Sequence, residues 1–289
     1  MTSRWSQSVP RLFGPDVPTW ACELTSRHVI VVGTTPDRRD IASRAVLELP
    51  AGSLNADLKT ANFDRDRVAL VLRQALDQAG FSGSEIILVI PDDVTRVSVL
   101  HVDSFPDDQA AQRSFILWKL KKSVPFDVDT AQLAYQKLGQ NGTVDLLVAL
   151  APKSVTSQYE ELMESVGLHA GVLTPSTTAA FNLLELEAGD TLFVKRGPNS
   201  ITTSVFVEGS LAFYRKVPLQ SLYEAVYPTI MYYQDKLDGN RIGQIVVCGY
   251  DPDTPSGELE LSKLSIPIQH LHATGLEDMY KPALGALQL

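Results

Sequence analysis

Cysteine is nearly missing from this sequence. Cys22 and Cys248 are the only two in 289 residues, too few for a disulfide framework or a zinc site. Both lie in apolar stretches and read as buried free thiols of a cytoplasmic protein. Histidine is sparse as well: His28, His101, His169, His270 and His272 share no ligand spacing with cysteines or acids. His270 and His272 alternate and would share one strand face, but no third ligand accompanies them, so structural histidines and no metal are expected. A basic excess is also absent. The 25 Lys and Arg against 34 Asp and Glu leave a net charge of −9, which argues against a nucleic-acid partner. No apolar run approaches the roughly 20 residues of a bilayer span, so direct membrane insertion is not expected. The first 19 residues hold three prolines, little periodicity and no continuous apolar core of signal-peptide type, and read as an irregular arm.

What is present is a folded composition, 44% hydrophobic and 20% charged, with room for two domains. The most legible stretch is 114–167. A helix ends at Val124-Pro125, since the residue before proline leaves the α region. Alternating strands at 131–137 and 144–150 flank Asn141-Gly142, which supplies the positive φ of a tight hairpin. A helix then carries Val155, Tyr159, Leu162, Met163 and Val166 on one face and stops at Gly167. Before this stretch, strands are expected at 20–24, 29–33 and 44–49, a helix from the Asp64 cap to Ala79, a buried EIILVI strand at 85–90, and a strand at 94–102. After it come a strand at 170–173, a helix at 177–186, strands at 191–195, 200–207 and 210–217, and a helix at 220–237. A buried strand at 244–248, a Pro-, Asp- and Ser-rich loop, a short helix at 259–264 and a strand at 266–268 complete the series.

Laid side by side, the halves share an order: three strands, a helix, a buried strand, a helix and a strand. The class is α/β, a duplicated unit. Its expected divisions are the arm at 1–19, a first half at 20–174 with a subdomain inserted at about 94–150, and a second half at 175–289.

That order resembles the actin-like ATPase superfamily, with its two ribonuclease-H-like halves. Within it the chain is similar to the PilM family of type IV pilus assembly proteins, related to the cytoplasmic part of type II secretion GspL. The residues that carry the resemblance are Val124-Pro125-Phe126-Asp127, then Ala134-Tyr135-Gln136-Lys137-Leu138-Gly139, and 144–149 (VDLLVA). The helix ending Ser165-Val166-Gly167-Leu168 and the closing Ala283-Leu284-Gly285-Ala286-Leu287 complete the series. The resemblance implies a nucleotide cleft, and here the sequence departs from it. At the first phosphate loop Glu23 stands at the acidic position, but both glycines are replaced, by Ala21 and Thr25, and the lysine by Ile30. Ser26 lies in the same turn. At the second loop the aspartate is replaced by Lys195, followed by Arg196, Gly197, Pro198 and Asn199. A surface turn needs no ligand for such charges, and a solvated turn is the preferred reading. The helical subdomain after the strand at 210–217 is missing, and Gly249 alone remains where a glycine-rich adenosine loop would sit. A degenerate nucleotide site of Glu23, Thr25, Ser26, Gly197, Asn199 and Gly249 is therefore expected, with no cofactor and no ATP hydrolysis; ATP with Mg is the alternative.

Two other features each admit two readings. Asp92-Asp93 after the buried strand suit either a carboxylate pair or a capped turn, and Ser176-Thr177-Thr178 suit a helix cap. The helix ending at Val124 is apolar on two sides: Ile116, Leu117, Leu120 and Val124 on one, Ala111, Phe115 and Trp118, beside Lys122, on the other. Such a helix is either sandwiched in a core or meets a partner through Phe115, Trp118 and Lys122. The resemblance implies a cytoplasmic adaptor that binds the tail of a PilN-like bitopic inner-membrane protein and faces a cytoplasmic motor ATPase. A divergent ATPase or kinase is the competing class, and a self-assembling actin-like protein a weaker third.

Overall fold

The structure, a computed structural model, describes residues 18–38, 40–140, 144–186, 189–249, 258–272 and 277–288. The irregular arm before Pro18, the Asn141-Gly142 turn and the loop at 250–257 lie outside the described residues. The chain opens with an antiparallel meander of β1 (Trp20–Leu24), β2 (His28–Thr34) and β3 (Ile41–Glu48). A small hairpin, β4 (Leu54–Ala56) with β5 (Ala61–Phe63), precedes α1 (Arg65–Ala79). The Asp64 side chain caps α1 by accepting from the Arg67 amide, and Gly80 stops it at φ 68°. The buried EIILVI run is β6 (Glu85–Ile90), parallel to β1. Next come β7 (Arg96–Val102), α2 (Gln109–Leu120), β8 (Ala131–Gln140), β9 (Val144–Pro152), α3 (Lys153–Ser165), β10 (His169–Pro175) and α4 (Ser176–Phe181). The second half runs through β11 (Asp190–Arg196), β12 (Ser200–Val207), β13 (Ser210–Pro218), α5 (Leu222–Lys236), β14 (Ile242–Cys248), α6 (Glu258–Leu261), β15 (Ile268–His270) and α7 (Lys281–Ala286).

The first sheet has the order β10-β6-β1-β2-β3, the second β15-β14-β11-β12-β13. In both, a three-stranded antiparallel meander continues into two parallel strands. Strand for strand the wiring is the same, which is the duplication read from the sequence. The turn Glu208-Gly209, with φ 50° and 79°, joins β12 to β13 as a two-residue hairpin.

Some boundaries differ from expectation. The helix expected to reach Val124 ends at Leu120, because Ser123 turns back and donates its amide and hydroxyl to the Leu120 carbonyl, both at 2.9 Å. The helix expected at 177–186 stops at Phe181, since Asn182, Leu183 and Leu184 close successive turns onto 179, 180 and 181. The strand expected at 266–268 is shifted to 268–270.

Helices α1 and α3 cover one face of the first sheet, with Leu72, Leu76, Tyr159 and Leu162 buried there. Helices α5 and α6 cover one face of the second, through Val226, Ile230, Tyr233 and Leu261. The faces between the sheets are filled by α4 and α7. Ala283, Ala286 and Leu287 lie on the Ala21, Ile87 and Val89 face of the first sheet, while Phe181 and Leu184 lie on Phe193 and Phe206 of the second. Helices α4 and α7 touch through Gly285, where a Cβ would stand 2.2 Å from the Ala179 carbonyl oxygen. The stretch between β6 and α3 builds a separate sheet, β7-β9-β8. One face (Leu146, Val148, Leu150) buries Ile116 and Leu120 of α2. Val99 and Leu147 on the other join the cluster of Leu211 and Tyr214 from β13.

Candidate functional site

Four chain segments meet where the two sheets face each other: the end of β1, the turn after β6, the start of α4 and the end of β11. Each delivers at least one polar group that is almost wholly buried, and α4 delivers two, Ser176 and Thr177. Glu23 is 4% exposed, Asp92 7% and Lys195 6%. The Asp92 carboxylate accepts the Thr177 amide at 2.9 Å and its hydroxyl at 2.7 Å, and the Lys195 ammonium donates to it at 3.3 Å. Ser176 donates to Glu23 at 2.5 Å. From β13, Lys216 donates to the Asp92 and Thr95 carbonyls and lies 3.6 Å from the Asp93 carboxylate. Two lysines of the second half thus hold the 92–95 turn of the first.

The charges fit this pairing. Burial pulls the Lys195 ammonium down, but the Asp92 and Glu23 carboxyls outweigh it and hold the lysine above its usual range. Burial pushes Glu23 up to about 7, with Asp92 adding to the rise and Lys195 and Ser176 opposing it. Burial also lowers Lys216 despite Asp93 and Asp92. The site near neutral pH is therefore one buried ion pair beside a carboxyl that shares its proton between states.

Lys195 corrects the solvated-turn reading of Lys195-Arg196. A cation on a β-turn is ordinarily exposed, but here a carboxylate waits at the end of β6. Ser176 and Thr177 likewise do not cap their own helix: the N-cap of α4 is Pro175, with no side-chain cap, and both hydroxyls are given to acids of the first half. Asp92 and Asp93 open a short 3-10 turn after Pro91, with Asp92 turned inward. Their value was invisible because Lys195 is 103 residues away in sequence.

The expected phosphate-loop residues do gather here. Glu23, Thr25, Ser26, Gly197 and Asn199 line a cavity of about 20 Å³ beside Asp92, Ser176 and Lys195, room for about one water. Outside it opens a cleft of about 860 Å³ with Arg27, His28, Glu48, Arg196, Leu219 and Met279 on its walls. The loop amides are largely spoken for. Thr25 Oγ1 accepts from the amides of Arg27 and His28 at 3.1 and 2.8 Å, and the Thr25 and Gly197 amides donate to the His28 and Ser200 carbonyls. Gly249, at φ 85°, presses on β11: a Cβ there would meet the Arg196 carbonyl at 2.1 Å. Its missing side chain serves backbone contact between strands. Magnesium needs free carboxylate oxygens and phosphates need free amides; Asp92 and the Thr25, Arg27, His28 and Gly197 amides are engaged within the chain. With about 20 Å³ of space and Lys195 paired to Asp92 at 3.3 Å, the small cavity does not fit ATP with Mg.

The residues expected on a partner face lie elsewhere, on α2. Trp118 is 69% exposed. Phe115 is half-buried, edge-on to Phe105 at 5.9 Å, and the Lys119 ammonium stands 5.7 Å from both the Phe115 and Trp118 rings. Lys122 is exposed just past the helix. The helix is therefore not sandwiched on its Trp118 side. His270 lies 3.7 Å from Asp278, and among the described residues no group of three His, Cys, Asp or Glu could hold a metal. Both cysteines are free and buried. No described helix is long and apolar enough to cross a membrane.

Neither a known protein family nor a curated protein matches the sequence. Solved structures do match along its length. The chain is similar to the "PilM-PilN type IV pilus biogenesis complex", with a TM-score of 0.75 at 13% identity over 94% of this chain and 97% of that one. It is also similar to the cytoplasmic domain of EpsL, an inner-membrane component of the type II secretion system of Vibrio cholerae (0.58, 9%, 93% and 94%). A protein with actin-like ATPase fold from Bacteroides thetaiotaomicron matches at 0.58 and 13%, over 91% and 93%. The fold is the actin-like ATPase fold, two ribonuclease-H-like halves with a small sheet between β6 and α3.

Proposed function

We propose that this chain is a non-catalytic actin-like adaptor in a type IV pilus or type II secretion-like machine. It works on the cytoplasmic side of the inner membrane, held there by the cytoplasmic tail of a PilN-like bitopic protein, and presents that complex to a cytoplasmic motor ATPase. The observation that carries the non-catalytic reading is the Lys195–Asp92 ion pair, 3.3 Å long and buried where this fold keeps its phosphates and metal. The proposed contact for the tail is the α2 face of Phe115, Trp118 and Lys122. Between Asp108 and Asp127 the sequence has Arg113, Lys119, Lys121 and Lys122 and no acid, so binding there should weaken with salt. Association of the purified chain with the partner's tail peptide, followed by calorimetry, tests the proposal. Trp118→Ala should weaken it tenfold or more; unchanged binding removes α2 from the interface, and no binding by the wild type removes the adaptor reading.

The 860 Å³ cleft favours a second reading, an ATP-binding enzyme of the same fold, since its volume suits a nucleotide. ATP titration decides between them. Micromolar affinity that drops in Glu23→Ala would replace the adaptor proposal.

A further inference from the structure

The buried polar cluster is unusual in where its members come from. Glu23 lies near the end of β1 and Asp92 in the turn just past β6, the parallel neighbour of β1, and both line the same small cavity. Lys195 ends β11, the equivalent of β1 in the second sheet. The ammonium therefore crosses from one half to the other to meet its counter-charge. Lys216 makes the same crossing from β13 to the 92–95 turn. Thr177 and Ser176, at the head of α4, tie the chain segment linking the halves to the same two acids.

Two charges removed from water lose several kcal/mol of hydration each, and only close pairing with further hydrogen bonds restores it. Asp92 has both, the Lys195 pairing and two hydrogen bonds from Thr177, while Lys195 has the pairing at 3.3 Å. Any partial separation of Lys195 from Asp92 short of full hydration would leave both charges unpaired beside a cavity of about 20 Å³. We infer that Lys195 fills from within a cation site at Asp92, beside Glu23, and that this internal cation, with Lys216, holds the two halves closed with no ligand bound. The inference builds on the closed-site reading above, but the two fail separately. The chain would then present a fixed inter-half geometry to its partners, independent of nucleotide.

Spin labels at Leu70→Cys on α1 and Tyr227→Cys on α5, both exposed positions, report the inter-half distance by pulsed electron resonance in the full chain; Cys22 and Cys248 are buried and stay unlabelled. The expected result is one narrow distance distribution, identical with and without ATP and Mg. A broad wild-type distribution would overturn the inference whatever ATP does. A narrow distribution together with measurable ATP affinity would leave it standing while sinking the non-catalytic proposal. Lys195→Met should broaden the distribution and lower the melting temperature by roughly 5–10 °C. Asp92→Asn should cost a similar amount, and the double variant no more than the worse single one. Additive losses, or an unchanged distribution in Lys195→Met, would show that the pair does not join the halves. Should Lys195→Met fail to fold, the wild-type distribution and the Asp92→Asn/Lys195→Met double variant carry the same test.

Discussion

Glu23 is the residue whose environment has the clearest thermodynamic consequence. In the folded chain its carboxyl titrates near 7, against 4.5 when exposed. Between those values the folded state binds more protons than the unfolded state, so stability falls as pH rises. The contribution is complete below about 4.5 and gone above about 7. Glu23→Gln, which fixes the neutral form, should flatten this limb. Melts at pH 5 to 8 should show the wild type losing on the order of 2–3 kcal/mol relative to the variant across that window. Equal slopes would mean that Glu23 is not buried as described. Thr25 offers a second test at this scale. Its hydroxyl oxygen accepts two turn amides, so Thr25→Val should cost about 1 kcal/mol in urea unfolding. If those amides have another acceptor, the change will be smaller than a few tenths.

At the scale of elements, Gly285 fixes the approach of α7 to α4. Its Cβ would strike the Ala179 carbonyl, a backbone atom that cannot rotate away. Gly285→Ala should destabilise the chain by ~2 kcal/mol, despite the better helix propensity of alanine; a gain in stability would show that α7 docks differently. Trp118→Ala, in contrast, should change stability by less than about 0.5 kcal/mol, because the ring is mostly exposed. The elements differ in how far the sequence announces them. Alternation and turn chemistry around Glu208-Gly209, Asp64 and Gly80 made the meanders and α1 readable. The β4–β5 hairpin escaped because three-residue strands of small and polar residues (LNA and ANF) carry no period. Helix α4 is shorter than its sequence suggests, because its end is set by contacts with α7 and the second sheet. The Lys195–Asp92 pair was illegible for a sharper reason. Each residue taken alone looks like an ordinary turn charge, and only the closure of two sheets brings them together.

For the molecule as a whole, α7 belongs to the end of the chain but covers the first sheet. Ala283, Ala286 and Leu287 bury Ala21, Ile87 and Val89. A chain ending at Glu277 should therefore expose an apolar face on the half that is farthest from the deletion in sequence. Binding of a hydrophobic dye, with loss of amide protection in β1 and β6, would report it; protection lost in β14 and β15 alone would contradict this account. The first sheet itself is finished late in another sense. Its EIILVI strand, β6, ends at Ile90, and the neighbour that covers its second edge, β10, is complete only at Pro175. On a ribosome adding roughly 5–20 residues per second, that edge waits on the order of 4–17 s for its partner. The small sheet at 96–152 is made during this interval and can fold locally, because β8 and β9 are adjacent in sequence. The nascent chain thus carries an unpaired strand edge, apolar from Ile86 to Ile90, for seconds in every round of synthesis, and chaperone demand should be greatest at that point.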